Sequence, residues 1–385
     1  MDDRERLLAV LRGETPDYVP FTARFNDLSP AQRKGVWNYP WPEKNGGNDT
    51  QAMYAYAKDR LGVTMYAYAS PTYKAGLESC ETNIYTNGGL LIKEIHTPLG
   101  TLSAAVEYNA MWPYGEDIPL GHDFTAHHRK AWVTGMSDVK KLVHIFSSPA
   151  GKPDALKRLA NNFEAAFKLR DAYDMPVVSA AGQGLTLALQ MFLPEPLMFA
   201  VKDEPETVEE FLKLEHGVTM DNIRLACESG CDIISRNGYY ECCSFFSPAM
   251  LERFVGGYLR AECELAHSYG KPVVYTLHSG YMPMIGYLKA IPFDCIYGID
   301  LGFPGADILK LKRELGDKFI FEMGPCSTRE FSSDDPSDVR AAMRGIVETW
   351  GKKGLILTPS TSFHSIMPWR NFEAAVDEWK KLRWI

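Results

Sequence analysis

The feature that most constrains the fold is a regular alternation of short apolar runs with longer amphipathic segments after Lys152. Helical spacing between Pro153 and Tyr173 leads into the first run, and the same order then repeats along the chain. Apolar runs that are bounded by Gly and Pro and separated by helices are typical of parallel strands covered by helices. The pattern predicts an α/β fold, which we interpret as a (β/α)8 TIM barrel. The six runs cover residues 176–180, 230–235, 271–277, 294–298, 318–322 and 354–358.

The first 150 residues follow a different pattern. Residues 4–11 have helical spacing, residues 18–23 form a short candidate strand, and residues 26–50 are an irregular segment rich in Asn, Pro, Gly and Trp. Asn87-Gly88 lies between two strand-like runs, and this dipeptide favours the tight turn of a β-hairpin. We therefore expect one domain, 1–385. In it, residues 1–150 supply N-terminal strands and an elaboration of helix, loops and β-hairpins over the barrel mouth, and residues 151–385 supply the regular β/α units.

Composition excludes several classes of protein. The chain carries 41 Lys and Arg against 49 Asp and Glu, a net charge of −8, which disfavours nucleic acid as a partner. No apolar run reaches the ~18 residues that a membrane span needs, and no secretory signal precedes the first helix. The eight cysteines include no Cys-x-x-Cys pair, so a zinc ribbon is not expected. We expect a cytoplasmic protein with free thiols that does not bind membranes.

The ends of the predicted strands are where a barrel carries its chemistry. His278 directly follows an apolar run, and its imidazole suits proton transfer or zinc ligation. Glu241 and Cys326 follow two other runs, and together with His278 they would supply three ligands and leave one open position on a catalytic zinc ion. The residues leave an alternative open, in which Cys326 fills a gap in the packing and Glu241 pairs with an arginine.

Other polar and aromatic residues cluster at the same strand ends. Aromatic residues in loops, rather than at helical spacing, predict a pocket for a flat or apolar ligand. The candidate substrate-binding residues are Arg24, Gln183, Arg236, Asn237, Tyr239, Tyr281, Phe303 and Phe363.

Several short motifs resemble one known family. Residues 4–14 followed by Pro16-Asp17-Tyr18-Val19-Pro20 resemble the opening of the uroporphyrinogen decarboxylase superfamily. The resemblance continues, in order, through residues 230–232, 247–250, 270–280, 307–312, 324, 357–360 and 371–372, and so spans nearly the whole chain. It implies a (β/α)8 barrel, which agrees with the alternation described above.

The departures from the family patterns indicate which branch the chain resembles. The haem-pathway decarboxylases carry an Arg-rich segment for a polycarboxylate substrate, whereas residues 21–26 contain only Arg24. The thiol-activating methyltransferases bind zinc through His-x-Cys and a later Cys, whereas this chain has Gly280 and Thr361 at those positions. The chain is more similar to the corrinoid-dependent methyltransferases of the O-demethylase type. In some of these, glutamates and a histidine hold zinc, and Glu241 and His278 match the outer pair.

The resemblance implies that a methyl group moves from a small methylated molecule, foremost an aryl methyl ether, to the cob(I)alamin of a separate corrinoid protein that docks transiently at the barrel mouth. Zinc on Glu241, His278 and Cys326 would activate the leaving oxygen as a Lewis acid; without a metal, His278 or Tyr240 would protonate it.

Two other hypotheses remain open. The first is a metal-independent decarboxylase or lyase that binds a small carboxylated substrate through Arg24 and Arg236. The second is a non-catalytic corrinoid-binding module, although the chain lacks the Asp-x-His-x-x-Gly string that holds cobalamin. The sequence does not decide whether the chain forms a homodimer.

Overall fold

A computed structural model describes residues 1–26, 28, 30–122 and 126–385. Within these residues the strands are β1 (Phe25–Asn26), β2 (Glu43–Lys44), β3 (Gly47–Asn48), β4 (Ala67–Tyr68), β5 (Glu81–Asn87), β6 (Leu90–Thr97), β7 (Gly100–Glu107), β8 (His128–Lys130), β9 (Val177–Ala180), β10 (Ile233–Asn237), β11 (Val273–Thr276), β12 (Cys295–Asp300), β13 (Ile320–Gly324), β14 (Leu355–Leu357) and β15 (Phe363–His364).

The α-helices alternate with the later strands, as the sequence predicts. They are α1 (Asp3–Leu11), α2 (Pro30–Arg33), α3 (Thr50–Tyr56), α4 (Met136–Leu142), α5 (Pro153–Tyr173), α6 (Leu185–Phe192), α7 (Pro194–Asp203), α8 (Pro205–Glu228), α9 (Pro248–Leu251), α10 (Gly257–Ser268), α11 (Ile285–Leu288), α12 (Ile308–Leu315), α13 (Pro336–Trp350) and α14 (Trp369–Leu382). Shorter π and 3-10 segments lie at Ala57–Leu61, Ala75–Ser79, Glu252–Gly256 and Met282–Met284.

The centre of the molecule is a seven-stranded parallel sheet in the order β14-β13-β12-β11-β10-β9-β4. The segment around Phe21 and Thr22 connects its two edges, because Phe21 bridges to Leu357 of β14 and Thr22 bridges to Thr64, just before β4, both in parallel. The Thr22 amide donates to the Leu357 carbonyl at 2.8 Å, and the Thr64 amide donates to the Phe21 carbonyl at 2.9 Å. The predicted α/β fold is confirmed, and the arrangement is that of a TIM-like barrel.

Helix α1 closes one end of this barrel. Its Leu7, Val10 and Leu11 join a buried cluster with residues that face the barrel interior. Arg4 donates to both carboxylate oxygens of Asp232, which directly precedes β10, at 2.6 and 3.0 Å. Because α1 therefore lies where the strands begin, the open mouth is at their carboxyl ends. The interior residues of the cluster are Tyr66, Val178, Ile233, Val274, Cys295, Tyr297 and Ile356.

Helix α5 packs on the sheet through one apolar stripe. In α5 the buried residues are Ala155, Leu159, Phe163 and Ala166, which recur at the three- and four-residue spacing of one helical face. Pro153 begins this helix at the first turn, where its missing N–H costs nothing. Parallel strands with helices outside and side chains inside are buried on both faces, which explains why their sequences are continuous apolar runs.

Strands β5 to β8 form a separate antiparallel sheet. In the predicted hairpin, Asn87 pairs with Leu90, and the two residues with positive φ are Gly88 at 56° and Gly89 at 80°. The turn thus lies one residue later than the Asn-Gly pair that predicted it, because two glycines adopt the left-handed region without steric cost. In the part of the chain that the structure describes, no helix is long and apolar enough to cross a membrane.

Candidate active site at the barrel mouth

A cavity of about 440 Å³ opens where the barrel strands end. It receives residues from the ends of β4, β9, β10 and β12 and from the segments that follow β11 and β14. The wall is rich in tyrosine and in neutral hydrogen-bonding groups. The described lining residues are Ala23, Arg24, Phe25, Asn26, Asn48, Thr50, Met53, Tyr54, Met65, Tyr66, Tyr68, Ala180, Ser235, Asn237, Tyr239, His278, Tyr297, Thr361 and Ser362.

The two-residue repeat of a strand decides which side chains enter this cavity. In β10, Ser235 and Asn237 line the cavity. Arg236 lies between them in sequence and is buried against the helices outside the barrel, with 2% of its surface exposed. Successive side chains on a strand point to opposite faces, so neighbours in sequence can belong to different sites. Arg236, predicted to bind substrate, therefore lies outside this cavity, whereas Asn237, predicted with it, is in the cavity wall.

His278 forms one wall of the cavity directly after β11. Its Nδ1 lies 3.0 Å from the carbonyl oxygen of Gly298, to which it donates, and this leaves Nε2 as the unprotonated nitrogen. Gly298 has φ of 87°, and a Cβ there would lie 2.4 Å from Nδ1 of His278. Only glycine therefore allows the imidazole to lie against this strand. The ring of Tyr239 packs on the imidazole with centroids 5.1 Å apart.

The surroundings of His278 keep its imidazole neutral. Burial lowers its pKa to about 4, and the positive charge of Arg24 contributes in the same direction, against the hydrogen bond to Gly298. A neutral imidazole accepts a hydrogen bond or a proton at Nε2 but does not act as an acid at neutral pH. The prediction that His278 protonates a leaving oxygen is thus disfavoured by its electrostatics.

Arg24 supplies the positive charge of the cavity. Its guanidinium carbon lies 3.5 Å from the centroid of the Tyr297 ring and 4.7 Å from that of Tyr66. One nitrogen, Nη1, donates to the hydroxyl oxygen of Tyr68 at 3.1 Å. Stacking on aromatic faces fixes the planar guanidinium, so Arg24 presents its hydrogen bonds in a defined direction.

Glu322 of β13 lies behind Arg24 and is 1% exposed. Its Oε2 accepts from Nη2 of Arg24 at 3.3 Å, and its Oε1 accepts from the hydroxyls of Thr22 and Tyr66 at 2.7 and 2.9 Å. A buried charge is tolerated only when it is paired and hydrogen-bonded, and this pair satisfies that condition. Arg24 and Glu322 therefore form one neutral unit in the cavity wall.

Glu241 is in the same outer layer as Arg236 and does not reach the cavity. Its Oε1 accepts from the Leu185 amide at 2.9 Å and from Arg236 at 3.4 Å, and its Oε2 accepts from the Tyr275 hydroxyl at 2.8 Å. Burial raises its pKa, against the attraction of Arg236. Both oxygens are thus used within the protein, as in the alternative in which Glu241 pairs with an arginine.

Cys326 also lies outside the cavity that contains His278. Its thiol is buried, lies 3.3 Å from the hydroxyl of Thr328, and lines a different space of about 260 Å³ beside Leu301 and Arg329. Burial raises the pKa of this thiol.

The predicted zinc ligands Glu241, His278 and Cys326 are therefore not brought together. Among the residues that the structure describes, no three His, Cys, Asp or Glu side chains are grouped as a metal ion would need. These residues as arranged do not fit the predicted zinc site.

The structure gives a reason for glycine at position 280. Gly280 has φ of 61°, and a Cβ there would lie 2.7 Å from the backbone nitrogen of Ser244. A cysteine at this position would therefore be strained and would require the neighbouring backbone to shift. Thr361, at the position of the later cysteine, lines the cavity, and its carbonyl oxygen accepts from the Tyr297 hydroxyl.

The remaining predicted residues divide between cavity and core. Arg24 and Tyr239 line the cavity as predicted, together with Asn237. Tyr281 is 1% exposed and its hydroxyl donates to the Asp300 carbonyl at 2.9 Å, so it has a role in packing.

Four more predicted residues are absent from the described cavity wall. Phe363 is fully buried, in an aromatic cluster with Phe25 and Phe372, because β15 turns it towards the core. Phe303 is exposed, and the backbone N–H of Gln183 donates to the carboxylate of Glu215. Tyr240 packs on Phe245 with ring centroids 5.6 Å apart.

Sequence reasoning missed much of the tyrosine wall. Tyr297 lies two residues after Cys295 in β12, and the two belong to the same interior cluster, as the two-residue period of a strand requires. Tyr66 and Tyr68 lie in a part of the chain where only two residues pair as a strand, so no apolar run marks them. Tyr54 and Met53 come from α3, which reaches the mouth through tertiary packing that local sequence does not encode.

Comparisons with known proteins agree with this architecture. A family model for uroporphyrinogen decarboxylase (URO-D) matches residues 129–382. No curated protein matches the sequence. Among solved structures, a methyltransferase from Methanosarcina mazei is similar over 99% of both chains, with 17% identity and a TM-score of 0.61. A B12-independent methionine synthase from Shewanella sp. W3-18-1 is similar over 94% of this chain and 98% of its own, with 9% identity and a TM-score of 0.47.

Proposed function

The chain belongs to the uroporphyrinogen decarboxylase family, and we propose that it is a methyltransferase that removes a methyl group from a small methylated substrate. We propose an aryl methyl ether as the donor and the cob(I)alamin of a partner corrinoid protein as the acceptor. The observation that carries the proposal is the tyrosine-walled cavity with a single arginine at the mouth of the barrel. The fold of the chain is similar to that of a methyltransferase over nearly the full length of both chains, and this similarity supports the same proposal.

The size and lining of the cavity support a small aromatic donor. About 440 Å³ is within the range of pockets for small molecules, and aromatic walls bind flat rings. Arg24 is the only Lys or Arg among the described lining residues, and Glu322 already pairs with it. A tetrapyrrole with many carboxylates would need several such cations. The decarboxylation of such a substrate, after which the family is named, is therefore less well supported than methyl transfer.

Breaking an ether requires help at the leaving oxygen, and Tyr68 and Arg24 are the groups we propose for it. The Tyr68 hydroxyl accepts from Arg24, so its own hydrogen is available to the departing oxygen. As the methyl carbon is attacked, Tyr68 transfers its proton to that oxygen, and the guanidinium stabilises the tyrosinate that forms. The phenol product then leaves neutral, and solvent returns the proton to Tyr68.

We propose that His278 orients the donor. Its unprotonated Nε2 accepts a hydrogen bond from a substrate hydroxyl, while Gly298 holds the other nitrogen. The reduced corrinoid, carried by the partner protein, would supply the nucleophile. Attack in line with the breaking bond requires the methyl carbon to face the open mouth, where a transient partner can dock.

The experiment uses the purified full chain, 2-methoxyphenol and cob(I)alamin kept reduced. Methyl transfer is followed by the absorbance change as cob(I)alamin becomes methylcobalamin. We expect transfer that depends on the protein and falls in the Tyr68→Phe variant, with Tyr85→Phe as the control because Tyr85 is exposed on the separate antiparallel sheet. Failure with O-, N- and S-methyl donors, free cob(I)alamin and corrinoid protein alike would overturn the proposal. Release of carbon dioxide from an aromatic acid would favour the decarboxylase instead.

A further inference from the structure

We infer that the site selects donors that carry no carboxylate, and that Glu322 is the residue that sets this selectivity. The inference rests on the proposed function, because it concerns the donor that occupies the same cavity. Arg24 alone would attract an aromatic acid. The buried carboxylate behind it weakens that attraction.

The contacts of Glu322 show how firmly the pair is held. Glu322 is 1% exposed and accepts from Thr22, Tyr66 and Arg24, and these donors belong to two separate segments of the chain. Two of these donors are hydroxyls that remain hydrogen-bonded to Glu322 when Arg24 contacts a ligand. A carboxylate with this many donors stays in place, so Arg24 is compensated before any substrate binds.

The charge balance during the reaction leads to the same conclusion. Arg24 already faces one anion, Glu322, and gains a second when Tyr68 gives up its proton. A substrate carboxylate near the guanidinium would be a third negative charge beside a single positive one. Like charges in a site of low dielectric repel strongly, so a carboxylated donor would be disfavoured both on binding and in the transition state.

Among the lining residues that the structure describes, the opposite side of the cavity gives a substrate carboxylate no second cation. His278 is neutral, since burial lowers its pKa to about 4. The other described polar lining groups near the strand ends are amides and hydroxyls, such as Asn237, Ser235 and Ser362. These groups can hydrogen-bond a phenol hydroxyl or an ether oxygen, and they carry no positive charge that would balance an anion. The chemistry fits uncharged methoxyphenols.

Equilibrium binding of demethylated analogues tests this without requiring methyl transfer. Calorimetry compares 1,2-dihydroxybenzene with 3,4-dihydroxybenzoate, which differ only by the carboxylate. We expect the wild-type protein to prefer the neutral ligand by at least about tenfold. In Glu322→Gln the uncompensated Arg24 should reverse or erase that preference, a change in the affinity ratio of about tenfold or more.

Two further variants separate charge from structure. Thr22→Val removes one hydrogen bond to Glu322 but keeps its charge, so the affinity ratio should stay at the wild-type value. The double variant Arg24→Gln with Glu322→Gln removes both charges and should keep the preference for the neutral ligand, even if Glu322→Gln alone fails to fold. Equal or tighter binding of the benzoate by the wild type, or an unchanged ratio in Glu322→Gln, would overturn the inference. If methyl transfer fails while the ratios behave as expected, only the proposed function is refuted.

Discussion

The ionisation of His278 offers a quantitative test of the site. Burial lowers its pKa to about 4, against about 6.5 in solvent. Below pH 6.5 the unfolded chain therefore binds a proton at this residue while the folded chain does not, until the pH approaches 4. The folded state thus loses stability as the pH falls through this window.

The size of the effect follows from the two pKa values. Between pH 7.5 and pH 5 the difference in protonation costs the folded state about 2 kcal/mol, and the full difference at lower pH is about 3 kcal/mol. His278→Gln has no titrating group at this position, so the wild type should lose about 2 kcal/mol more than the variant over the same range. Comparing the two proteins cancels the contribution of every other titrating group.

Two measurements check the prediction. Urea unfolding of both proteins at pH 7.5 and pH 5 gives the difference in free energy. Carbon-13 NMR of labelled histidine, with the His278→Gln spectrum to assign the signal, gives the pKa directly. A pKa at or above 6, or equal losses of stability in the two proteins, would refute the reasoning that burial and Arg24 keep this imidazole neutral.

Three further predictions concern other positions. Gly280→Cys should cost about 2–3 kcal/mol in urea unfolding, because the Cβ meets backbone at a positive φ, whereas Gly257→Ala, with open space in a helix, should be neutral or stabilising. Glu241→Ala should cost about 3 kcal/mol by leaving a buried arginine partly unpaired, and it should leave metal content unchanged; loss of stoichiometric zinc in this variant would show that Glu241 is a ligand after all. Tyr68→Phe should lower kcat for an ether donor by 10²-fold or more without changing the thermal midpoint, while a change no larger than that of Tyr85→Phe would argue against proton transfer from Tyr68.

The sequence predicted the elements whose pattern is local. The alternation after Lys152 is visible because a strand buried on both faces is a continuous apolar run, and because helices such as α5 carry an apolar stripe. Strand β4 was missed because it consists of Ala67 and Tyr68 alone. Its place in the sheet is fixed by pairing with β9, more than a hundred residues away.

Part of the site was predicted because the local sequence pattern also marks where the strands end. His278, Asn237 and Tyr239 lie at strand ends, so the general rule for barrels located them. The rule does not say which of two neighbouring residues faces inwards. Arg236 was therefore predicted to line the cavity, although only its neighbours in sequence, Ser235 and Asn237, do so. Glu241 was misplaced because its loop folds back on Tyr275, a contact that no spacing in the sequence encodes.

The closing contact of the barrel has a consequence for how the protein is made. Thr22 and its partner Leu357 are 335 positions apart in sequence. At roughly 5–20 residues per second, the ribosome reaches Leu357 roughly 20–70 s after it has added Thr22. Throughout that interval the nascent sheet has an unpaired edge, which can pair with strands of other chains. A chain that stops before β14 is therefore an aggregation hazard rather than a smaller enzyme, and slow or interrupted synthesis should reduce the yield of folded protein more than its stability would suggest.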